Sequence, residues 1–250
     1  MLNIIPIPAF EDNYIWLLHL NGYAVVVDPG VATPVVEILQ MLDLTLAAIL
    51  ITHHHSDHVD GVKELLRYQV APVYAPKYEN FDFEHTQLAD ADELYLADIA
   101  QSFRIMWLPG HTLGHIAYVN DDYLFCGDTL FGAGCGRLFE GSPAQMLSSL
   151  NQLKMLNANT EVFCTHEYTA KNIAFALTLE PDNQALHARA STTKLLRNQQ
   201  LPSLPSHIAL ELATNPFLRC NQASIIKNSH AVKSDALSVF TAIRTLRNHY

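Results

Sequence analysis

Short apolar runs separated by turn residues extend from the N-terminal end of the chain to about residue 164. Runs of this kind, rich in β-branched and aromatic residues and bounded by Gly, Pro, Asn or Asp, are typical of partly or fully buried strands. The pattern therefore predicts that the first part of the chain is rich in sheet. The predicted strands lie at 14–18, 23–27, 47–51, 73–74, 103–108, 117–119, 123–126 and 161–163.

Longer stretches with apolar residues three and four positions apart predict amphipathic helices. Pro34 and Pro143 fit the first turn of two of these helices, with Thr33 and Ser142 as the expected N-caps. Helices replace strands after position 166, and the proline-containing segment 201–205 is expected to break the helices as a linker or a corner. The predicted helices lie at 34–42, 59–68, 143–156, 169–179, 182–198 and 233–248.

The change of pattern near residue 165 predicts two domains, a mixed domain at 1–165 and a smaller helical domain at 166–250. A chain of 250 residues with 49% hydrophobic residues is long enough for both. The N-terminus lacks the features of a signal peptide, and no apolar run is long enough to span a membrane. The four cysteines follow no disulfide or zinc spacing. We therefore expect a cytoplasmic protein without a membrane partner, and we expect a monomer.

The formal net charge of −10 disfavours nucleic acid as a partner, because phosphate contacts supply most of the non-specific affinity for it. Arg244 and Arg247 are a local exception, since two arginines three positions apart share one face of a helix. Such a pair either complements the dipole at a helix end or binds an anion. Spacing alone leaves both interpretations open.

The most distinctive motif is segment 52–58, which contains four histidines and one aspartate directly after a predicted strand. Imidazole and carboxylate groups are preferred ligands of zinc and similar divalent ions. Alternate side chains of an extended segment point the same way, so His53, His55 and Asp57 share one side while His54 faces the other. The segment therefore predicts a metal site.

A histidine-rich segment can also be an exposed loop without a function. Its position argues against that interpretation, because it lies between predicted strand 47–51 and predicted helix 59–68. Binding and catalytic residues are concentrated in connections of this kind. His58, where the chain enters the helix, is expected to turn toward the other ligands.

Three further ligand-type residues follow predicted strands, namely His111, Asp128 and His166. Each alone is more often a cap or a satisfied polar group than a ligand. Together with the first cluster they give five imidazoles and two carboxylates, which is too many for one tetrahedral ion. Two ions that share a bridging carboxylate fit better, and such pairs of ions catalyse hydrolysis.

The pattern formed by these ligands resembles the metallo-β-lactamase superfamily. Within it, the chain resembles the hydroxyacylglutathione hydrolase (glyoxalase II) family over essentially its full length. The resemblance implies an α+β fold, a four-layer αββα sandwich at 1–165 followed by a smaller helical, glutathione-binding domain at 166–250. The motifs specific to the family lie at 9–16, 126–131, 134–141, 166–169 and 215–219 and in the C-terminal Arg-x-x-Arg.

The resemblance implies two divalent metal ions, zinc in the first place, with iron or manganese as alternatives. One ion would be held by His53, His55 and His111. The other would be held by Asp57, His58 and His166, with Asp128 as the bridge. A bridging hydroxide would attack the thioester of S-D-lactoylglutathione and release D-lactate and glutathione, the second step of methylglyoxal detoxification. Asp57 and Asp128 would be the catalytic side chains.

The resemblance also implies the contacts to the glutathione thioester, which carries two carboxylates. The expected substrate-binding residues are Arg137, Phe139, Tyr168, Arg244 and Arg247. A guanidinium binds a carboxylate with two parallel hydrogen bonds, which favours the anion-binding interpretation of the C-terminal pair. The family often has Lys at the position of Arg247, Tyr at that of Phe139 and Asp at that of Asn248.

Alternatives remain at this stage. A hydrolase of another thioester, ester or lactone would keep the seven ligands without the arginines. A metal-dependent nuclease would need an electropositive surface, and a non-catalytic metal protein would be expected to lose a ligand. An acyl-enzyme on Cys135 is the weaker alternative for the mechanism. Asp28 could hydrogen-bond a ligating histidine such as His53, although Asp before Pro-Gly is also an ordinary turn.

Overall fold

The structure is a computed structural model that describes residues 2–250, and these residues divide into two units. Unit 1 contains the described residues up to Trp107 and the segment Gly114–Gly127. Unit 2 contains Leu108–Leu113 and Asp128–Tyr250. The domain boundary at 165/166 rests on sequence pattern and stays a prediction.

Unit 1 is built mainly from strands, as the apolar pattern predicts. Its strands are β1 (Asn3–Ala9), β2 (Asn13–Leu20), β3 (Tyr23–Val27), β4 (Thr45–Leu50), β5 (Val73–Pro76), β6 (Thr86–Leu88), β7 (Glu93–Leu96), β8 (Gln101–Trp107), β9 (Ile116–Val119) and β10 (Tyr123–Gly127). Its helices are α1 (Thr33–Met41), α2 (Ser56–Val59) and α3 (Val62–Tyr68), and a 3₁₀ turn spans Ala97–Ile99.

The strands of unit 1 pair in chain order within two sheets. In the first sheet β1, β2 and β3 are antiparallel, and the pairs from β3 through β6 are parallel. In the second, β7, β8, β9 and β10 are antiparallel neighbours. The apolar pattern did not predict β1, because Pro6 and Pro8 interrupt it. As an edge strand, β1 tolerates residues without an N–H group.

The core of unit 1 lies between the first sheet and its helices. Val26 of β3 and Ile49 of β4 pack in one cluster with Val35 of α1 and Leu65 of α3, and all four are fully buried. Burying one such side chain stabilises the fold by about 1.5–3 kcal/mol. This core fixes the carboxyl end of β4, from which the histidine-rich segment emerges.

The prediction of one continuous helix at 59–68 is wrong, because the chain forms two short helices, α2 and α3, in this region. They are separated at Gly61, whose N–H donates to the carbonyl of Pro29 at 3.0 Å. A Cβ at position 61 would lie 2.5 Å from that oxygen, so only glycine allows this approach. The break leaves Asp57 and His58 together in α2.

Unit 2 contains most of the helices. They are α4 (Pro143–Leu153), α5 (Thr169–Leu179), α6 (Gln184–Asn198), α7 (Ile208–Thr214), α8 (Ala223–Asn228) and α9 (Ala236–Asn248), with a 3₁₀ turn at Pro216–Leu218. Its strands are short, namely β11 (Leu130–Phe131), β12 (Gly134–Cys135), β13 (Glu161–Cys164) and β14 (Ser206–His207). No helix formed by residues 2–250 is both long enough and apolar enough to cross a membrane.

The two predicted N-caps have different outcomes. Ser142 is confirmed, because it forms a reciprocal capping box with Gln145 at the start of α4. Thr33 is wrong, since the N-cap position of α1 is Ala32, which makes no side-chain cap. An N-cap residue normally has an extended backbone, which lets its side-chain oxygen accept a hydrogen bond from the first turn. Here the backbone of Ala32 is already helical and Thr33 lies inside the helix, so the Thr33 hydroxyl does not cap it.

Candidate metal centre and cavity

The structure gathers the four predicted ligands of unit 1 directly after β4. The Nε2 atom of His53 lies 3.1 Å from the Nδ1 atom of His55. In α2, the Nε2 atom of His58 lies 3.6 Å from Oδ2 of Asp57. The rings of His53 and His58 are buried, while His55 and Asp57 are half-buried, so the ligand atoms meet at the edge of the core.

Asp28 and Thr52 orient two of these histidines. Oδ2 of Asp28 accepts hydrogen bonds from Nδ1 of His58 at 3.0 Å and from the hydroxyl of Thr52 at 2.7 Å. Since the Thr52 hydroxyl donates to Asp28, it accepts the proton of His53 Nδ1, at 3.0 Å. In the neutral form, both histidines would therefore carry the lone pair on Nε2, the atom that can bind a metal. Asp28 does bind a histidine of the predicted ligand set, but its direct partner is His58 rather than His53.

Neighbouring polar residues of unit 1 support the same cluster. Asn13, from the family-specific segment 9–16, donates from Nδ2 to Oδ2 of Asp57 at 2.9 Å. His115 is fully buried and stacks on the ring of His53, with centroids 4.8 Å apart. His54 contacts the buried Glu79, with Nδ1 and Oε2 3.1 Å apart. His54 therefore has a carboxylate partner of its own.

The three predicted ligands of unit 2 also converge. Oδ2 of Asp128 lies 3.4 Å from Nε2 of His111 and 3.4 Å from Nε2 of His166. The Nδ1 atom of His111 donates to the carbonyl of Arg137 at 2.8 Å, which leaves Nε2 unprotonated. His166 stacks face to face on Tyr168, with ring centroids 4.7 Å apart. All three ligands are buried.

The donor set fits divalent metal ions. Ligand atoms about 2.0–2.2 Å from one ion lie about 2.9–3.6 Å apart at octahedral or tetrahedral angles. The separations within each unit, from 3.1 to 3.6 Å, fall in this range, and most are long for a hydrogen bond. Each of the seven predicted ligands belongs to a group of His and Asp side chains that could hold a metal ion.

A cavity of about 550 Å³ lies in unit 2, next to two of these ligands. It contains all five side chains that the sequence predicts for substrate binding. His111 and Asp128 are predicted metal ligands, whereas sequence patterns did not predict Lys171, Asn172 and Tyr250, which lie in no motif with obvious chemistry. The lining residues are His111, Asp128, Phe131, Cys135, Arg137, Phe139, Tyr168, Lys171, Asn172, Arg244, Arg247 and Tyr250.

Arg244 is a buried cation at the wall of this cavity. Its Nη1 atom donates to the carbonyl of Cys135 at 2.7 Å, and its Nη2 atom donates to Oδ1 of Asn248 at 3.1 Å. The guanidinium also lies 5.1 Å from the centroid of the Phe217 ring. Asn248 thus still binds Arg244 where the family often has Asp. The Arg244 side chain contacts the segment around Cys135 and is only 7% exposed, so its role goes beyond complementing the dipole of its own helix.

Arg247 is half-buried and is held by Asn172, whose Oδ1 accepts from Nε at 3.2 Å and from Nη2 at 3.1 Å. Burial lowers the pKa of Arg247, and the neighbouring charges of Arg244 and Arg137 lower this pKa further. Three cations thus lie close enough to repel one another. An anionic ligand would relieve that repulsion.

A buried polar network holds the backbone that leads into this cavity. Oε2 of Glu211 accepts from the N–H of Ala133 at 2.9 Å, and its Oε1 pairs with Arg189. Asn215, from the family-specific segment 215–219, donates from Nδ2 to the carbonyl of Gly134 at 2.8 Å. Removing one member of such a network leaves the others unsatisfied, which costs about 1–3 kcal/mol.

Cys135 does not have the properties of a nucleophile. The thiol is buried, and burial raises its pKa despite the opposing effect of Arg244. A reactive cysteine needs a lowered pKa, since the thiolate is the attacking form. The structure therefore gives no support to an acyl-enzyme on this residue.

Comparison with known proteins defines the class first. Residues 9–166 match the model of the metallo-beta-lactamase superfamily. The crystal structure of the B3 metallo-beta-lactamase BLEG-1 is similar, with a TM-score of 0.65 and 23% identity, over 87% of this chain and 99% of that one. The predicted α+β metallo-β-lactamase fold is thus confirmed.

Residues 167–250 match the model described as hydroxyacylglutathione hydrolase C-terminus. A hydroxyacylglutathione hydrolase from Methylobacillus flagellatus is 58% identical, over 100% of both chains. Hydroxyacylglutathione hydrolase 2 from Vibrio vulnificus is 51% identical, again over 100% of both. The chain belongs to the hydroxyacylglutathione hydrolase family, as its motifs predict.

Proposed function

We propose that this protein is a metal-dependent thioesterase that hydrolyses S-D-lactoylglutathione, and other S-2-hydroxyacylglutathiones, to the free hydroxy acid and glutathione. The observation that carries the proposal is the cavity of unit 2, whose lining includes both His111 and Asp128 and four cationic side chains. Candidate metal ligands beside an anion-binding cavity suit a substrate with a reactive thioester and two carboxylates. The curated relatives bear the name of this activity.

The proposed centre would hold two divalent ions, one with His53, His55 and His111 and the other with Asp57, His58 and His166. Asp128 would be shared by both ions. Zinc suits imidazole and carboxylate ligands best, and iron and manganese suit them as well. Divalent ions at such a site lower the pKa of water and polarise a carbonyl group. Support comes from the chemistry of the donors and their spacing within each unit.

The protein's own side chains position the reactants. Hydrolysis adds water across the C–S bond, so the acyl carbon gains an oxygen and the glutathione thiolate leaves and takes up a proton. Asp28, Thr52 and the carbonyl of Arg137 fix the tautomers of three histidines in advance. Asn13 holds Asp57, a proposed catalytic carboxylate, by a hydrogen bond from its amide. This preorganisation means that little rearrangement accompanies the reaction.

The cavity side chains bind the glutathione part of the substrate. Arg137, Arg244 and Arg247 attract its carboxylates, while Tyr168 and Phe139 offer ring surfaces beside His166 and His111. Binding energy from this remote part of the substrate places the thioester against the metal ligands. We further propose a cytoplasmic monomer without a nucleic acid partner, in line with the net charge of −10.

A panel of substrates tests the proposal against its nearest alternative, a related hydrolase of another thioester, ester or lactone. Purified protein with its metal ions is assayed with S-D-lactoylglutathione, a thioester without glutathione, an aryl ester and a lactone. The proposal expects the highest kcat/KM for the glutathione thioester. Equal or better hydrolysis of the ester or lactone would overturn it.

A further inference from the structure

The cavity contains a fourth cation, Lys171, that sequence patterns did not predict. Lys171 lies in the first turn of α5, is exposed, and lines the cavity together with Arg137, Arg244 and Arg247. Asp128 is the only one of the lining residues with a carboxylate side chain. In a chain with a net charge of −10, such a local concentration of positive charge favours an anionic ligand.

Two of the four cations already use much of their hydrogen-bonding capacity within the protein. Arg244 donates to Cys135, Gly136 and Asn248 through its two terminal nitrogens. Its third nitrogen, Nε, has no hydrogen-bond partner among the described residues. Arg247 gives its Nε and one of its terminal nitrogens to Asn172. Arg244 therefore retains few donors for a ligand, whereas Arg247 keeps its Nη1 atom.

Lys171 and Arg137 are different, because their side chains make no hydrogen bond or ion pair with any of the described residues 2–250. A lysine in the first turn is also unfavourable for the helix, since its charge opposes the positive end of the dipole. No acidic residue in the first turn of α5 compensates for it. Lys171 therefore contributes nothing evident to the stability of α5.

We infer that Lys171 is a specificity-determining residue that binds one of the two carboxylates of the glutathione part of the substrate. The inference rests on the proposed function. Arg244 has both terminal nitrogens committed and Arg247 has Nε and Nη2 committed, whereas Lys171 and Arg137 still have all their side-chain donors for a second carboxylate. An ammonium on a flexible stem gives three donors that can follow a carboxylate.

Steady-state kinetics of the holoenzyme test this role with Lys171→Gln. The expected result is a KM for S-D-lactoylglutathione about three- to tenfold higher, as for a charge-assisted contact near the surface, with kcat unchanged. Lys171→Arg keeps the charge and should restore most of the affinity. Lys194→Gln removes an exposed lysine from α6 of the same unit and should leave KM unchanged. An unchanged KM in Lys171→Gln would overturn the inference.

Substrate analogues separate a specific contact from a general loss of positive charge. One analogue has its glycine carboxylate converted to an amide, and the other has γ-aminobutyrate in place of the γ-glutamyl residue and so lacks that carboxylate. The effect of Lys171→Gln on KM should disappear with one analogue and persist with the other. An effect of equal size with both would show that Lys171 acts on neither carboxylate specifically.

Binding of S-hexylglutathione, a thioether that cannot be hydrolysed, separates this inference from the proposed function. Calorimetry should give a higher Kd for Lys171→Gln than for the unaltered protein and for Lys194→Gln. Absence of thioester hydrolysis by the unaltered protein would overturn the proposed function. Hydrolysis with equal Kd and KM values in all three proteins would overturn only the role of Lys171.

Discussion

Asp28, Thr52 and Asn13 bind no metal in the proposed centre, yet they determine how its ligands point. Each contacts a predicted ligand through one specific atom, at 2.9 or 3.0 Å. Asp28 has a left-handed backbone, with φ of 53°, a conformation that Asp and Asn tolerate better than most residues. The sequence Asp-Pro-Gly therefore both turns the chain and places a carboxylate behind His58.

Asp28→Asn tests this orienting role without disturbing the turn, because Asn has the same shape and tolerates the same backbone. The variant loses the charge that stabilises the proton on His58 Nδ1, so we expect metal affinity to fall about 10- to 100-fold. The measurement is metal content after dialysis against graded chelator. Asp60→Asn, an exposed neighbour, is the control. Equal metal retention in both variants would contradict the orienting role.

Phe139 gives a second prediction at this scale. Its ring is 61% exposed in the cavity and lies 5.2 Å from the ring of His111. Phe139→Tyr adds the hydroxyl that the family often has, and we expect KM for S-D-lactoylglutathione to fall about two- to tenfold through one hydrogen bond. The KM of a small thioester without glutathione serves as the control. A higher KM for the glutathione substrate would argue against a contact there.

At the scale of elements, the sequence predicts strands and helices well where apolar periodicity is strong, as in β2, β3 and α5. It fails where tertiary contacts decide. The helix break at Gly61 depends on the carbonyl of Pro29, and the two-residue strands β11, β12 and β14 are too short to have a period. Segments α7 and α8 were not predicted for a similar reason, since each has only about two turns of pattern.

The candidate site shows the same division. The candidate metal ligands could be named from sequence because imidazoles and carboxylates cluster at strand ends, and the candidate substrate contacts could be named because family motifs carry them. Lys171 and Asn172 could not, since a lysine and an asparagine in a helix have many ordinary explanations. Their relation to Arg247 and Arg137 arises only when α5 and α9 line the same cavity. Local sequence patterns do not predict contacts between segments that lie far apart in the chain.

The cap of α4 provides a prediction for one element. Ser142→Ala removes the side-chain acceptor for the N–H of Gln145, and we expect the free energy of unfolding to fall by about 0.5–2 kcal/mol. The measurement is denaturant-induced unfolding followed by circular dichroism. Ser148→Ala, at an exposed position inside the same helix, should be neutral or slightly stabilising. Equal effects of the two substitutions would show that the cap does not contribute.

For the whole molecule, buried thiols predict how stability responds to pH. Burial raises the pKa of Cys220 from 9.0 to about 12 in the folded protein. The unfolded chain therefore releases this proton first, and the stabilisation is complete below about pH 9 and is lost as pH rises toward 12. Cys220→Ala lacks this effect. The free energy of unfolding of the variant, measured relative to that of the unaltered protein, should therefore rise by about 1.4 kcal/mol between pH 8 and pH 10. If the difference in unfolding free energy between the two proteins did not change with pH, the raised pKa of Cys220 would be contradicted.

The central claim is that a metal centre containing Asp128 hydrolyses a glutathione thioester. The most direct test compares kcat/KM for S-D-lactoylglutathione, with metal content, between the unaltered protein and Asp128→Ala, using the exposed Asp122→Ala as control. We predict about two metal ions per unaltered chain and at least about a hundredfold loss in Asp128→Ala, with Asp122→Ala unaffected. Full activity in metal-free protein, or in Asp128→Ala, would contradict the claim.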